Sequence, residues 1–128
     1  MRTPRRGEIY RLKSDNVGKP RPVLIVSRNE LNSGIYLLAI GFYGEQLDKR
    51  AKLPQWVMFQ QGEFNLTKDC AANASSITQF KMSDLRLAEG PVGEVSPERM
   101  AEIDAALAYS LRLSLSPPSD AKSAGDLA

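Results

Sequence analysis

The sequence predicts a mainly β protein: a small, strongly curved antiparallel sheet or barrel followed by one C-terminal helix. Three observations carry this. Five or six short runs are either continuously apolar or alternate apolar with polar residues, and turn residues separate them. No segment between these runs is long and periodic enough to be a crossover helix, so successive strands pair antiparallel. A single helical pattern exists, and it follows the last strand. At 128 residues, 42% of them hydrophobic, the chain fits one domain able to bury a core.

Residues 1–6 read as a loose start. Gly7 to Lys13 (GEIYRLK) alternates apolar with polar residues, the pattern of a strand with one buried face. Residues 14–20 hold Ser, Asp, Asn, Gly and Pro and read as a loop. Residues 22–27 follow as a core strand, because Val23-Leu24-Ile25-Val26 is a short apolar run rich in β-branched side chains. Pro20 and Pro22 bracket Arg21, and their rings stiffen the backbone that presents its guanidinium. Residues 35–40 (IYLLAI) predict the next strand, and 41–52 a long polar loop over one face.

Leu53 to Phe59 resumes strand character around Trp56, the only tryptophan, expected as a core or interface anchor. Residues 70–75 and 76–80 together predict one further strand, 81–85 a helical turn and 92–95 a short closing strand. Ser96-Pro97-Glu98 predicts a helix start, with Ser as N-cap, Pro at the first helical position and an acid in the first turn. Met100, Ile103, Leu107 and Leu111 then recur at helical spacing as the core-facing stripe. Residues 1–113 are expected to form the domain. Residues 114–128, with Pro117-Pro118 and many small polar residues, are expected to be a disordered tail.

The chain contains no histidine and one cysteine, Cys70. That excludes imidazole acid–base catalysis, a histidine metal site and an internal disulfide. Cys70 reads as a small buried hydrophobe. No apolar run reaches the length of a membrane span and no signal segment is apparent, so a cytoplasmic protein is expected. Net charge is only +2, yet residues 1–28 carry eight basic side chains against two acidic ones. Such polarity fits either a polyanion-binding face or a solvated basic arm, and charge alone does not separate the two.

Four pieces of the chain, in order, resemble the MazF/PemK (Kid) family of bacterial toxins. Arg6-Gly7-Glu8-Ile9-Tyr10 is similar to the family's opening strand. Residues 18–27 (GKPRPVLIVS) are similar to its signature strand, where Arg-Pro precedes aliphatics and Ser. Leu66-Thr67-Lys68-Asp69-Cys70 with Ile77 resembles its last strand, and residues 93–98 (GEVSPE) its helix start. The resemblance runs from about residue 5 to residue 113. It implies an SH3-like barrel working as a homodimer. It also implies an endoribonuclease toxin of a type II toxin–antitoxin system that cuts single-stranded RNA with no metal or other cofactor. The 2′-hydroxyl attacks the adjacent phosphate, leaving a 2′,3′-cyclic phosphate and a free 5′-hydroxyl. A cognate antitoxin lying over the same groove is the implied protein partner.

Arg21 matches the family's catalytic arginine, and the physics agrees: a guanidinium can grip two phosphate oxygens at once. Two positions depart from the family pattern. The hydroxyl residue usual at the end of the third strand is replaced by Gly41. No shift of the alignment restores it, because the only threonines are Thr3, Thr67 and Thr78. An acid that some members carry before the next strand is Ser75 here, which makes Ser75 the second expected catalytic position. Tyr43, Ser76 and Gln79 are expected to offer replacement hydrogen bonds to RNA, and Lys19, Arg5 and Arg28 to hold its phosphates. Phe42 and Tyr43, on the long loop, are expected to stack bases. Two other functions fit the same fold. One is a barrel that has lost catalysis and binds RNA or a protein. The other is a gyrase poison like the related CcdB proteins, an activity that the resemblance ties to a Trp-Gly-Ile ending where this chain has Asp126-Leu127-Ala128.

Overall fold

A computed structural model of the chain describes residues 3–13 and 21–114. Its strands are β1 (Glu8–Arg11), β2 (Pro22–Ile25), β3 (Tyr36–Tyr43), β4 (Trp56–Phe59), β5 (Cys70–Asn73), β6 (Thr78–Lys81) and β7 (Gly93–Glu94). A one-turn helix, α1 (Leu47–Arg50), follows β3, and a long helix, α2 (Pro97–Leu111), follows β7. The sheet order is β4-β5-β3-β2-β1-β7, with β6 also on β3, and every pairing is antiparallel. The fold is therefore the expected mainly β sheet with a C-terminal helix. The loop at 14–20 and the tail from 115 onward lie outside the described residues.

β3 is the hub. Ala39 pairs with Ile25 of β2 on one edge and with Thr78 of β6 on the other. Beyond that point β5 takes over from β6, opposite Phe42 and Tyr43. One strand that must be flanked by β6 at its start and β5 at its end cannot stay flat, and the sheet curls into a half-barrel. Residues 70–80 consequently form two strands rather than the single one the pattern predicts. The break is an Asn-based turn: Asn73 Oδ1 accepts from the Ser75 N–H (2.9 Å) and hydroxyl (2.6 Å), and the Asn73 carbonyl accepts from Ser76 N–H at 3.2 Å.

The two faces of the sheet have different fates. Ile9, Leu24, Ile40 and Phe42 share one face with Val57 and Phe59, and α2 covers it with Met100, Ile103 and Ala106. Tyr10, Val23, Ile25, Leu37 and Ala39 form a smaller cluster on the other face, closed by Leu85 and flanked by Leu12 and Phe80. β1 is thus buried on both faces, not one: Glu8, Ile9 and Tyr10 are all almost fully buried. The alternation misleads because Glu8 is an interior residue. Its Oε1 accepts from Arg5 N–H (2.8 Å) and from the Tyr10 hydroxyl (3.2 Å), which meets the cost of burying a carboxylate.

Helix α2 starts as expected, with the Ser96 hydroxyl accepting from Arg99 N–H at 3.3 Å. Its buried stripe is Met100, Ile103, Ala106 and Ala108, while Leu111 is exposed. In the second half of the helix Ala106 and the half-buried Leu107 pack on this core, and only Leu111 of the expected stripe turns to solvent. Two arginines tie α2 down. Arg6 bonds both the Val26 carbonyl (2.8 Å) and the Asp104 carboxylate, and Arg99 bonds Glu63 and the Met58 carbonyl while lying 4.4 Å over the Phe59 ring. The segment expected as a polar loop at 41–52 instead continues β3 to Tyr43 and then turns into α1. Phe42 is core, edge-to-face with Phe59 at 5.7 Å, and so is not available on a loop. Among the described residues no helix is long and apolar enough to cross a membrane.

Candidate active site

The site is built where the smaller cluster runs out. Strand periodicity decides which side chains reach it. In β2, Val23 and Ile25 face the smaller cluster, so Arg21, two residues earlier, carries the same parity. Val23 pairs with Gly41, which extends the ladder to Arg21 opposite Tyr43. Across β3, Ala39 pairs with Thr78 and Leu37 with Phe80, which puts Thr78 and Phe80 on this face too. A hollow of about 110 Å³ results, lined among others by Arg21, Gly41, Tyr43, Thr78 and Phe80. The Arg21 carbonyl accepts from Leu12 N–H at 2.9 Å, and this bond with Pro22 anchors the backbone beneath the exposed guanidinium.

A larger cleft of about 510 Å³ adjoins it and shares Arg21, Pro22, Phe42 and Tyr43. Glu45, Arg50 and Lys68 complete its charged lining. Among the described residues three cations against one carboxylate give the lining a positive character, suited to an anionic ligand. Tyr43 stands between the two hollows. An ideal Cβ on Gly41 would lie 3.3 Å from the Tyr43 hydroxyl, so the phenol folds back along its own strand over the bare glycine. The ring is held edge-to-face on Trp56 at 5.7 Å.

The other expected site residues fall elsewhere. Ser75 is exposed in the β5–β6 turn with its hydroxyl given to Asn73, and neither hollow includes it, Ser76 or Gln79. Gln79 pairs with Leu38, which puts it on the face opposite Thr78. Arg5 and Arg28 flank the other end of the β1–β2 pair, where Gly7 N–H meets the Ile25 carbonyl. At strand rise that is roughly 20 Å from Arg21. Arg28 lies 3.3 Å from Glu30, whose carboxyl is held below its usual range first by a backbone hydrogen bond and then by the Arg28 charge. Lys19 lies outside the described residues.

Several conspicuous residues prove architectural. Ser27 ends the signature strand, and its hydroxyl donates to Asn32 Oδ1 and accepts from Leu38 N–H at 3.0 Å. Burial pushes the Cys70 thiol up to about 11, against a smaller opposing effect of Lys68, as the bland reading of a lone buried cysteine requires. Arg50, Lys68 and Thr78 are the residues sequence reasoning misses. Nothing in their spacing from Arg21 marks them; the β3–β6 register and the one-turn helix after Tyr43 bring them in.

The family model described as PemK-like, MazF-like toxin of type II toxin-antitoxin system matches residues 5–111. No curated protein sequence matches the chain. Among solved structures, an endoribonuclease from a mycobacterial species is 31% identical with a TM-score of 0.71, covering 91% of this chain and 98% of that one. A mycobacterial endoribonuclease in complex with its cognate antitoxin is 30% identical with a TM-score of 0.69, covering 88% and 99%. The MazE-MazF complex of Deinococcus radiodurans, at 18% identity and a TM-score of 0.64, shares the fold over 89% and 100% of the two chains. With the match spanning nearly the whole described chain, this protein belongs to the PemK-like, MazF-like toxins of type II toxin–antitoxin systems.

Proposed function

We propose that the protein is a metal-independent endoribonuclease that cuts single-stranded RNA in the cytoplasm, works as a homodimer and is blocked by a cognate antitoxin. The observation that carries the reading is that Arg21 and Tyr43 line one cleft at the end of β2 and β3. The two mycobacterial endoribonucleases above support it, one of them bound to its antitoxin.

The chemistry asks little of the protein. The RNA 2′-hydroxyl attacks the adjacent phosphorus, the bond to the 5′-oxygen breaks, and the products are a 2′,3′-cyclic phosphate and a 5′-hydroxyl. No water is consumed; a proton leaves the 2′-oxygen and one reaches the 5′-oxygen. Arg21 holds the non-bridging oxygens, whose negative charge grows in the transition state, and a guanidinium does so with two parallel N–H bonds. In this reading Tyr43, whose hydroxyl lies over Gly41, donates to the reacting phosphate or its leaving oxygen, the task a hydroxyl at position 41 would otherwise take. Thr78 offers a further hydroxyl in the same hollow.

The test is incubation of the purified protein with a long unstructured RNA in EDTA, followed by mapping of fragment ends. Fragments with 5′-hydroxyls are expected. Arg21→Ala should slow their formation by about 100- to 1,000-fold. Intact RNA that is retained in a salt-sensitive way would instead make this a binding barrel and overturn the nuclease reading.

A further inference from the structure

Arg50 is fixed more firmly than a surface arginine needs to be. Its guanidinium carbon lies 4.2 Å from the Trp56 ring centroid and 5.6 Å from that of Tyr43. Stacking of this kind holds the planar group in one orientation and removes much of the entropy a ligand contact would otherwise lose. Yet its Nη1 is buried and, among the described residues, has no hydrogen-bond acceptor. A buried guanidinium N–H without an acceptor is costly, and here the stacking on Trp56 and Tyr43 keeps it there. Arg50 lines the 510 Å³ cleft that also holds Arg21.

Lys68 approaches the same cleft from a different segment. Its Nζ lies against Gly44, 3.1 Å from where a Cβ there would stand. Neither Arg50 nor Lys68 forms an ion pair among the described residues. Among the described residues Glu45 is the one carboxylate in the lining, against three cations.

We infer that Arg50 and Lys68 form a second phosphate subsite, holding a phosphodiester of the RNA strand beside the one engaged by Arg21. The inference rests on the nuclease reading for the identity of the strand but not for the existence of the anion site. Arg50 supplies a guanidinium of fixed orientation, and Lys68 supplies a second, adjustable charge. The Trp56–Tyr43 pair acts as the positioning platform for Arg50.

A single-stranded oligodeoxynucleotide lacks the 2′-hydroxyl and cannot be cut by this chemistry, so it isolates binding. Its affinity is measured by fluorescence anisotropy at several salt concentrations. Arg50→Met should weaken binding about 10-fold and reduce the slope of log affinity against log salt by about one, the signature of one lost phosphate contact. Arg50→Lys, which keeps the charge without the planar fork, should keep the slope. Lys68→Met, an exposed position, should lower the slope in a protein that melts like the wild type, which keeps the test open if Arg50→Met does not fold. Unchanged slopes in both methionine variants would overturn the subsite. So would loss of binding to an acidic peptide with oligonucleotide binding intact, which would make the cleft a protein-docking site. If the slopes fall while RNA stays uncut, the subsite stands and the nuclease reading falls.

Discussion

An ideal Cβ at Gly41 would crowd the Tyr43 hydroxyl at 3.3 Å, so a side chain at 41 requires the phenol to give by a few tenths of an ångström. The bare glycine thus leaves room for the Tyr43 hydroxyl to lie over it. Tyr43→Phe keeps the ring against Trp56 and deletes only the oxygen. Single-turnover cleavage should then fall on the order of 100-fold with little change in melting temperature; a rate within twofold of wild type would remove Tyr43 from the reaction. Cys70 makes a contrasting residue-scale case. Its thiol is held at about 11 by burial, against an ordinary value of 9.0. Well below pH 9 neither folded nor unfolded thiol ionises, and stability does not depend on it. Between pH 9 and 11 the unfolded thiol gives up its proton while the folded one keeps it, so stability falls as pH rises. Urea unfolding of wild type should therefore lose stability more steeply across that window than Cys70→Ala does, and parallel slopes would contradict the assignment.

At the scale of elements, the two-residue strand β7 depends on a glycine. A Cβ on Gly93 would stand 2.1 Å from the Phe64 carbonyl oxygen, and backbone cannot give way as a side chain does. Phe64 is itself committed, with a left-handed φ of 48° in the turn after β4. Gly93→Ala must therefore push β7 off β1 or unwind that turn. It should cost about 2–4 kcal/mol, read as a fall of roughly 10 °C or more in melting temperature. A melt within 2–3 °C of wild type, on the order of half a kcal/mol, would mean the segment relaxes freely. α1 matters in a different way: four residues long, it adds little to stability but sets Arg50 against Trp56.

For the molecule as a whole, three described cations of the basic N-terminal segment lie away from the cleft. Arg6 is spent on Asp104 and Val26, Arg28 lies beside Glu30, and Arg5 sits at the far end of β1 from Arg21. The cations that share a cleft, Arg21, Arg50 and Lys68, come from three separate segments. Much of the rest was legible beforehand: the mainly β class, the core strand behind Arg21, and the capped helix at Ser96. These are local codes, written in the period of apolar residues and in caps within one turn, and so they survive being read one stretch at a time. The burial of Glu8, the split of β5 from β6, the outward turn of Leu111, and the meeting of Thr78 and Arg50 with Arg21 were not legible. They depend on which residues lie opposite one another across strands and on how far the sheet curls. A one-residue change in that register would turn every side chain to the other face, and only the assembled sheet selects among the registers.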